Sequence, residues 1–145
     1  MTDGYESHNF NVAMAFIRKW EGGYVWDKDD PGGETKFGIS KRSYPGEDIK
    51  NLSRERAEAL YKRDYWDKLD LDKYPQDKAV VLMNVAVNMG VGKAREFAKS
   101  GDYRKAIQSI RDHYAAIIAK NPKLGKYRRG WENRTKDLES YLSIK

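Results

Sequence analysis

Trp20-Glu21-Gly22-Gly23-Tyr24-Val25-Trp26-Asp27 joins two different local patterns, and its reading decides the architecture. Upstream, Phe10, Ala13, Met14, Ile17 and Trp20 recur at helical spacing, with Ser7 or Asn9 as the expected cap. Gly22-Gly23 ends that helix, because glycine readily takes the left-handed conformation of a C-terminal cap. Glu21 then belongs to the last helical turn. Downstream, Tyr24-Val25-Trp26 reads as a short strand and Asp29 to Gly33 as turn chemistry. Lys36-Phe37-Gly38-Ile39 is the expected returning strand. Such a hairpin is too small to stand alone and has to pack against helices.

Outward from this junction the chain reads as helical. Ser53 caps a helix running to about Trp66, with Ala57, Leu60, Tyr61 and Tyr65 on one side. After Pro75 a helix from about Asp77 to Met89 is apolar nearly all round, the mark of a central buried helix. Gly90 and Gly92 break it, and a shorter helix follows over about Lys93 to Lys99. Asp102 starts another, with Ala106, Ile107, Ile110, Tyr114, Ile117 and Ile118 as its core face, stopped by Asn121-Pro122. The last helix is expected from about Trp131 to Leu142. The fold class is therefore α+β and mainly helical. A small β-hairpin lobe follows the first helix and packs beside a helical lobe, with a cleft between them. The expected organisation is one domain over 1–145, with the β element at about 24–39 and the helical lobe at about 53–142.

Bulk properties narrow the function classes. A length of 145 residues suffices for a real core, and no repeat or linker divides the chain. There is no cysteine, so thiolate chemistry and disulfides are excluded. The two histidines, His8 and His113, lack ligand-spaced neighbours, and no metal site or cofactor is expected. Met1-Thr2-Asp3-Gly4-Tyr5-Glu6 is polar and acidic, unlike a signal peptide. The longest apolar run, Ala79 to Met89, is interrupted by Asn84 and Asn88 and is short of the roughly 20 residues that span a bilayer, so no stable membrane insertion is expected. The net charge of +6 favours polyanionic partners such as nucleic acid, anionic lipid or an acidic wall polymer. Much of it lies late, in Lys120, Lys123, Lys126, Arg128, Arg129, Arg134 and Lys136, which reads equally as a solvated basic surface.

Glu21 is the first candidate for chemistry. The C-terminal end of a helix carries partial negative charge, which together with aromatic neighbours disfavours a carboxylate and raises its pKa. A glutamic acid kept protonated near neutral pH can protonate a leaving oxygen. In most proteins a lone glutamate at a helix end is an ordinary surface acid; here the glycine pair lets a ligand approach the backbone closely. Glycoside cleavage usually needs a second carboxylate, and Asp27, Asp29, Asp30 and Glu34 are all available in the β element. Thr35 either orients a water or is simply a strand residue. Tyr24, following Gly23, is the better-placed aromatic for substrate contact. Asn84 and Asn88 share one helix face, and either satisfy buried backbone or line the cleft. Tyr61, Tyr65 and Trp66 form either an aromatic wall for sugar rings or core packing. Trp131 and Arg134 are expected to tie the last helix to the core.

Glu21-Gly22-Gly23-Tyr24, Asp30-Pro31-Gly32-Gly33, Thr35 and Phe37-Gly38-Ile39 together resemble the start of glycoside hydrolase family 108, a family of peptidoglycan-cleaving N-acetylmuramidases found mainly in phages and prophages. Tyr61, Tyr65-Trp66, Asn84, Asn88, Gly90, Gly130-Trp131 and Asn133-Arg134 extend the resemblance over about Phe10 to Leu142. The resemblance implies a catalytic role for Glu21. Glu21, Asp30 and Thr35 also resemble the Glu, Asp and Thr triad of phage-type lysozymes. Four residues lie between Asp30 and Thr35 and five between Asp29 and Thr35, so Asp29 stands as the alternative second carboxylate.

The resemblance implies a lysozyme-like muramidase that hydrolyses the β-1,4 bond between N-acetylmuramic acid and N-acetylglucosamine. The expected catalytic residues are Glu21, Asp30 and Thr35, and the expected substrate contacts are Gly23, Tyr24, Asn84 and Asn88. It implies a phage endolysin, a monomer acting on bacterial peptidoglycan and not on a specific nucleic acid. It would be held in the host cytoplasm until a separate pore-forming protein releases it to the wall. Two alternatives remain at this point. One is a lytic transglycosylase that uses Glu21 alone. The other is a non-catalytic basic module that binds wall polymer or nucleic acid.

Overall fold

The computed structural model describes residues 3–20, 24–26 and 33–142, with side chains from His8 onward. Six α-helices and a three-stranded antiparallel sheet account for most of these residues: α1 (Asp3–Trp20), β1 (Val25–Trp26), β2 (Glu34–Lys36), β3 (Ile39–Ser40), α2 (Arg54–Tyr61), α3 (Gln76–Met89), α4 (Val91–Ser100), α5 (Tyr103–Lys120) and α6 (Arg128–Tyr141). The chain is mainly helical, as its periodicity predicts.

The centre is α3. Eight consecutive residues, Ala79 to Ala86, are buried, so every face of this helix meets protein. The other elements bring one apolar face each. Phe10, Ala13, Met14, Phe16 and Ile17 come from α1; Ala106, Ile107 and Ile110 come from α5; Leu138 comes from α6. α1, α4, α5 and α6 all pack on α3. Ring contacts fix the registers: Phe10 meets Trp66 edge-on at 5.5 Å, and Phe16 meets Tyr141 the same way at 5.5 Å.

Local capping accounts for most boundaries. The Ser53 hydroxyl accepts from the Arg56 N–H at 3.0 Å to start α2, and the Asp102 carboxylate accepts from the Lys105 N–H at 3.0 Å to start α5. α1 begins at Asp3, ahead of both expected caps, so Ser7 and Asn9 fall inside it. A polar residue inside a helix costs only a few tenths of a kcal/mol, which packing from Phe10 onward easily offsets. Gly92 also falls inside a helix, α4, because Gly90 alone, at φ 98°, makes the break. α2 ends at Tyr61 and continues to Asp67 as a π-helix. α6 begins at Arg128, three residues before the expected start at Trp131, after a 3-10 segment over Pro122–Tyr127.

The sheet differs from the expected two-stranded hairpin. Val25 pairs with Thr35 and Trp26 with Glu34, then Thr35 pairs with Ser40 and Lys36 with Ile39. Phe37-Gly38 is therefore not strand but the two-residue turn between β2 and β3. Both residues have positive φ, 54° and 79°, as a type I′ hairpin turn requires. For phenylalanine that conformation costs roughly 1–2 kcal/mol. Tertiary contacts hold it: the Tyr61 hydroxyl donates to the Phe37 carbonyl at 2.9 Å, and the Arg54 guanidinium lies 4.7 Å over the Phe37 ring. This tether fastens the sheet to α2.

A second tether fixes the far end of α1. The Trp20 indole N–H donates to Asp137 on α6 at 2.6 Å, and the Lys19 ammonium pairs with the same carboxylate at 3.0 Å. Burial pushes the Asp137 carboxyl upward, but the Trp20 N–H and the Lys19 charge outweigh it and hold the group below the ordinary carboxylate range.

Removing the Tyr61 hydroxyl in Tyr61→Phe is expected to lower stability by about 1 kcal/mol, read by urea denaturation. A folded-state pKa below the unfolded one means that Asp137 contributes stability above the unfolded value and loses it as pH falls through the folded value. Wild-type thermal stability is thus expected to fall on acidification through and below about pH 4, and Asp137→Asn to flatten that decline while lowering stability at neutral pH. Parallel melting curves from pH 7 to pH 3 check both.

Candidate active site

The functional motif begins where α1 ends. Trp20 is the last residue of α1, and its indole is locked to Asp137, which fixes this end of the helix against α6. Glu21, Gly22, Gly23, Asp27, Asp29 and Asp30 lie outside the described residues. The described part of the motif is Tyr24, Val25 and Trp26 on one side and Gly33 to Ser40 on the other.

Strand pleating sorts these residues onto two faces. Thr35 sits in the central strand, opposite Val25 and Ser40, and is half-buried. Trp26 stands opposite Glu34, and the Tyr24 hydroxyl donates to the Glu34 carboxylate at 2.5 Å. Tyr24, Trp26 and Glu34 thus share one face, and Thr35 belongs to the other. The hydrogen bond to the Glu34 carboxylate, with burial and the Glu34 charge adding to the effect, pushes the Tyr24 hydroxyl above its ordinary pKa, so Tyr24 remains a donor. A hollow of about 620 Å³ opens on the Tyr24 face, lined by Tyr24, Trp26, Gly33, Glu34, Lys41, Arg42 and Lys50. Trp26 is 70 % exposed and Tyr24 38 % exposed.

The two asparagines sit deeper. Asn84 is 1 % exposed, inside the α3 core run. Its Nδ2 donates back to the Val80 carbonyl at 2.9 Å, and its Oδ1 accepts from Arg134 on α6 at 3.5 Å. The Asn88 Nδ2 donates to the Asn84 carbonyl at 2.8 Å, and its Oδ1 accepts from the Tyr114 hydroxyl at 2.7 Å. Burial pushes the Tyr114 hydroxyl up, which keeps it a neutral donor. The result is a continuous polar chain, Tyr114 to Asn88 to Asn84 to Arg134, joining α5, α3 and α6. Both amides serve the scaffold here.

The aromatic residues divide likewise. Tyr61 and Trp66 are fully buried, and Tyr65 packs on the same core, so this stripe is core packing and not a sugar wall. Trp131 stacks on Tyr114 at 4.6 Å and on Tyr127 at 5.5 Å, and Arg134 lies 5.9 Å over the Phe16 ring. Those contacts tie α6 to α5 and α1, as expected of Trp131 and Arg134.

Two features of the site escape a reading by motif alone. Glu34 is a carboxylate of the sheet that accepts from the Tyr24 hydroxyl, and Trp26 is the most exposed aromatic of the junction. Strand alternation would have found both, since Tyr24 and Trp26 are two apart and Glu34 is set opposite by the turn. Among the described residues no group of three or more His, Cys, Asp or Glu is placed to hold a metal ion.

Comparison with known proteins supplies the family. The profile of the Glycosyl hydrolase 108 family matches residues 14–90, which runs from the buried face of α1 through the sheet and α2 to the end of α3. No curated protein matches the chain. A solved structure of Brucella abortus SagA superimposes with a TM-score of 0.67 at 24 % identity, covering 93 % of this chain and 94 % of that one, so the two share a fold. The family match covers more than half of the chain and takes in the end of α1, the sheet and its tether to α2, so this chain belongs to the glycosyl hydrolase 108 family and is a glycoside hydrolase.

Proposed function

We propose that this glycoside hydrolase is a muramidase that cleaves bacterial peptidoglycan at the β-1,4 bond between N-acetylmuramic acid and N-acetylglucosamine. The observation that carries the proposal is the family match over residues 14–90, which contains Glu21-Gly22-Gly23-Tyr24 and Thr35 directly after a helix whose last described residue is Trp20. Glu21 is assigned as the general acid that protonates the glycosidic oxygen. Asp30, or Asp29, is assigned to stabilise the oxocarbenium-like transition state or to activate the attacking water, with Thr35 orienting that water. Gly23 gives the sugar access and Tyr24 contacts it.

The charge balance supports an anionic substrate, since a net +6 raises the encounter rate with an acidic wall. Asn84 and Asn88 are assigned to the support of the site, through Arg134 and Tyr114, more than to direct sugar contact. The proposed setting is that of a phage endolysin, a monomer that reaches the wall after a separate protein opens the membrane.

Glu21→Gln is expected to reduce clearing of purified peptidoglycan by about a hundred- to ten-thousand-fold, while its circular dichroism and melting curve match those of the wild type. Mass spectrometry of the wild-type products is expected to show reducing N-acetylmuramic acid ends. A folded Gln variant that clears the wall at the wild-type rate would remove Glu21 from the mechanism. Anhydro-muramic ends would replace the hydrolase assignment with a lytic transglycosylase.

A further inference from the structure

We propose that the Tyr24–Trp26 face of the sheet is a binding platform for acidic glycan strands, set on the opposite face from Thr35, in which Trp26 stacks on a sugar ring and Arg42 and Lys50 pair with carboxylates of the strand. The inference rests on the peptidoglycan assignment for the identity of the polymer, and on geometry for the site itself.

Exposed apolar residues scattered singly are normal on any protein surface. Here they are not scattered. Tyr24, Val25 and Trp26 are consecutive, and Trp26 and Tyr24 project on one side of an edge strand beside a hollow of about 620 Å³. That volume falls in the roughly 300–1,000 Å³ range of ligand sites. An exposed indole can cover the apolar C–H face of a pyranose ring, and its neighbour Tyr24 extends the same surface.

The cations give the platform its sign. Lys41, Arg42 and Lys50 line the hollow against the single described acid Glu34. The Lys41 ammonium is engaged by the Glu47 carbonyl at 2.8 Å. The Arg42 and Lys50 side chains make no hydrogen bond or ion pair among the described residues and are exposed, so their charges are open to a ligand, while the Lys50 carbonyl accepts from the Lys36 ammonium at 2.9 Å. A neutral sugar polymer would use the aromatic surface alone. A strand that carries carboxylates, as muramic acid and its peptide stems do, would use both parts.

Glu34 argues for a glycan over a nucleic acid. Its carboxylate is already an acceptor for Tyr24, and the residue lines the hollow. Such an acceptor suits the hydroxyls of a sugar, donors that a DNA phosphate backbone lacks. Thr35 projects from the other face of the same strand, so Trp26, Arg42 and Lys50 grip the polymer on the side away from Thr35, next to the sugar that Tyr24 contacts in the proposed reacting centre.

The test is a binding titration, read by tryptophan fluorescence, of the full chain with three probes. They are a soluble disaccharide–tetrapeptide from peptidoglycan, the same disaccharide without its peptide, and chitobiose. The stem-bearing probe is expected to bind about five- to tenfold tighter than chitobiose at low salt, with the preference vanishing at high salt. Arg42→Gln/Lys50→Gln is expected to abolish the preference and keep chitobiose binding, whereas Trp26→Ala weakens all three probes at least about fivefold. Equal affinity of the wild type for all three probes at low salt overturns the proposal without any variant. So does a double variant that keeps the preference, or a single-stranded DNA oligomer that binds more tightly than the stem-bearing probe. A wild type that shows this binding pattern but cuts no peptidoglycan overturns the muramidase assignment and leaves the platform. One that cuts peptidoglycan but lacks the pattern does the reverse.

Discussion

Burial of α3 on all sides is the constraint from which the helical arrangement follows. Eight successive residues from Ala79 to Ala86 are removed from water, and one of them, Asn84, is polar. A helix in that position obliges its neighbours to surround it, and α1, α4, α5 and α6 each do so with a single apolar stripe. Asn84 adds direction to what would otherwise be non-directional packing. A buried amide left unbonded costs about 1–3 kcal/mol, so Arg134 of α6 and the backbone of α3 have to be where they are. Asn88 and Tyr114 repeat the device one turn later and bind α5 to the same helix.

The sheet is held from outside. Three strands of two or three residues bury little and cannot persist unaided. Two anchors replace the missing core. The Tyr61 hydroxyl and the Arg54 guanidinium hold a phenylalanine in a backbone conformation that favours glycine or asparagine. Asp137 holds the Trp20 end of α1 against α6. The two anchors join residues 24 and 117 positions apart in sequence, a long-range arrangement that no local pattern encodes.

Part of the site was legible for clear reasons. The helical stripe that ends at Trp20 and the strand after it are local signals, and α1 and β1 follow in that order, with Tyr24 just ahead of β1 instead of within it. The two asparagines were legible as a pair on one face, but their spacing does not reveal that Tyr114 and Arg134 complete them. Phe37-Gly38 reads as strand in the sequence because phenylalanine has strand propensity, and it is tertiary contacts that hold its φ positive in the turn. The division of Tyr24, Trp26 and Glu34 from Thr35 required the register, which two residues of β1 cannot specify without β2 beside them.

The sequence by itself determined the helical class, the central role of α3, the caps at Ser53 and Asp102 and, through its spaced motifs, the family. These depend on periodicity, on short-range hydrogen bonding and on the order of residues, all of which are properties of the chain before it folds. Only the tertiary structure decided which face of the sheet each motif residue occupies, which donors satisfy the buried amides and where open charge gathers beside an exposed indole. Those outcomes depend on which distant segments meet, and that is settled by burying every face of one helix at once.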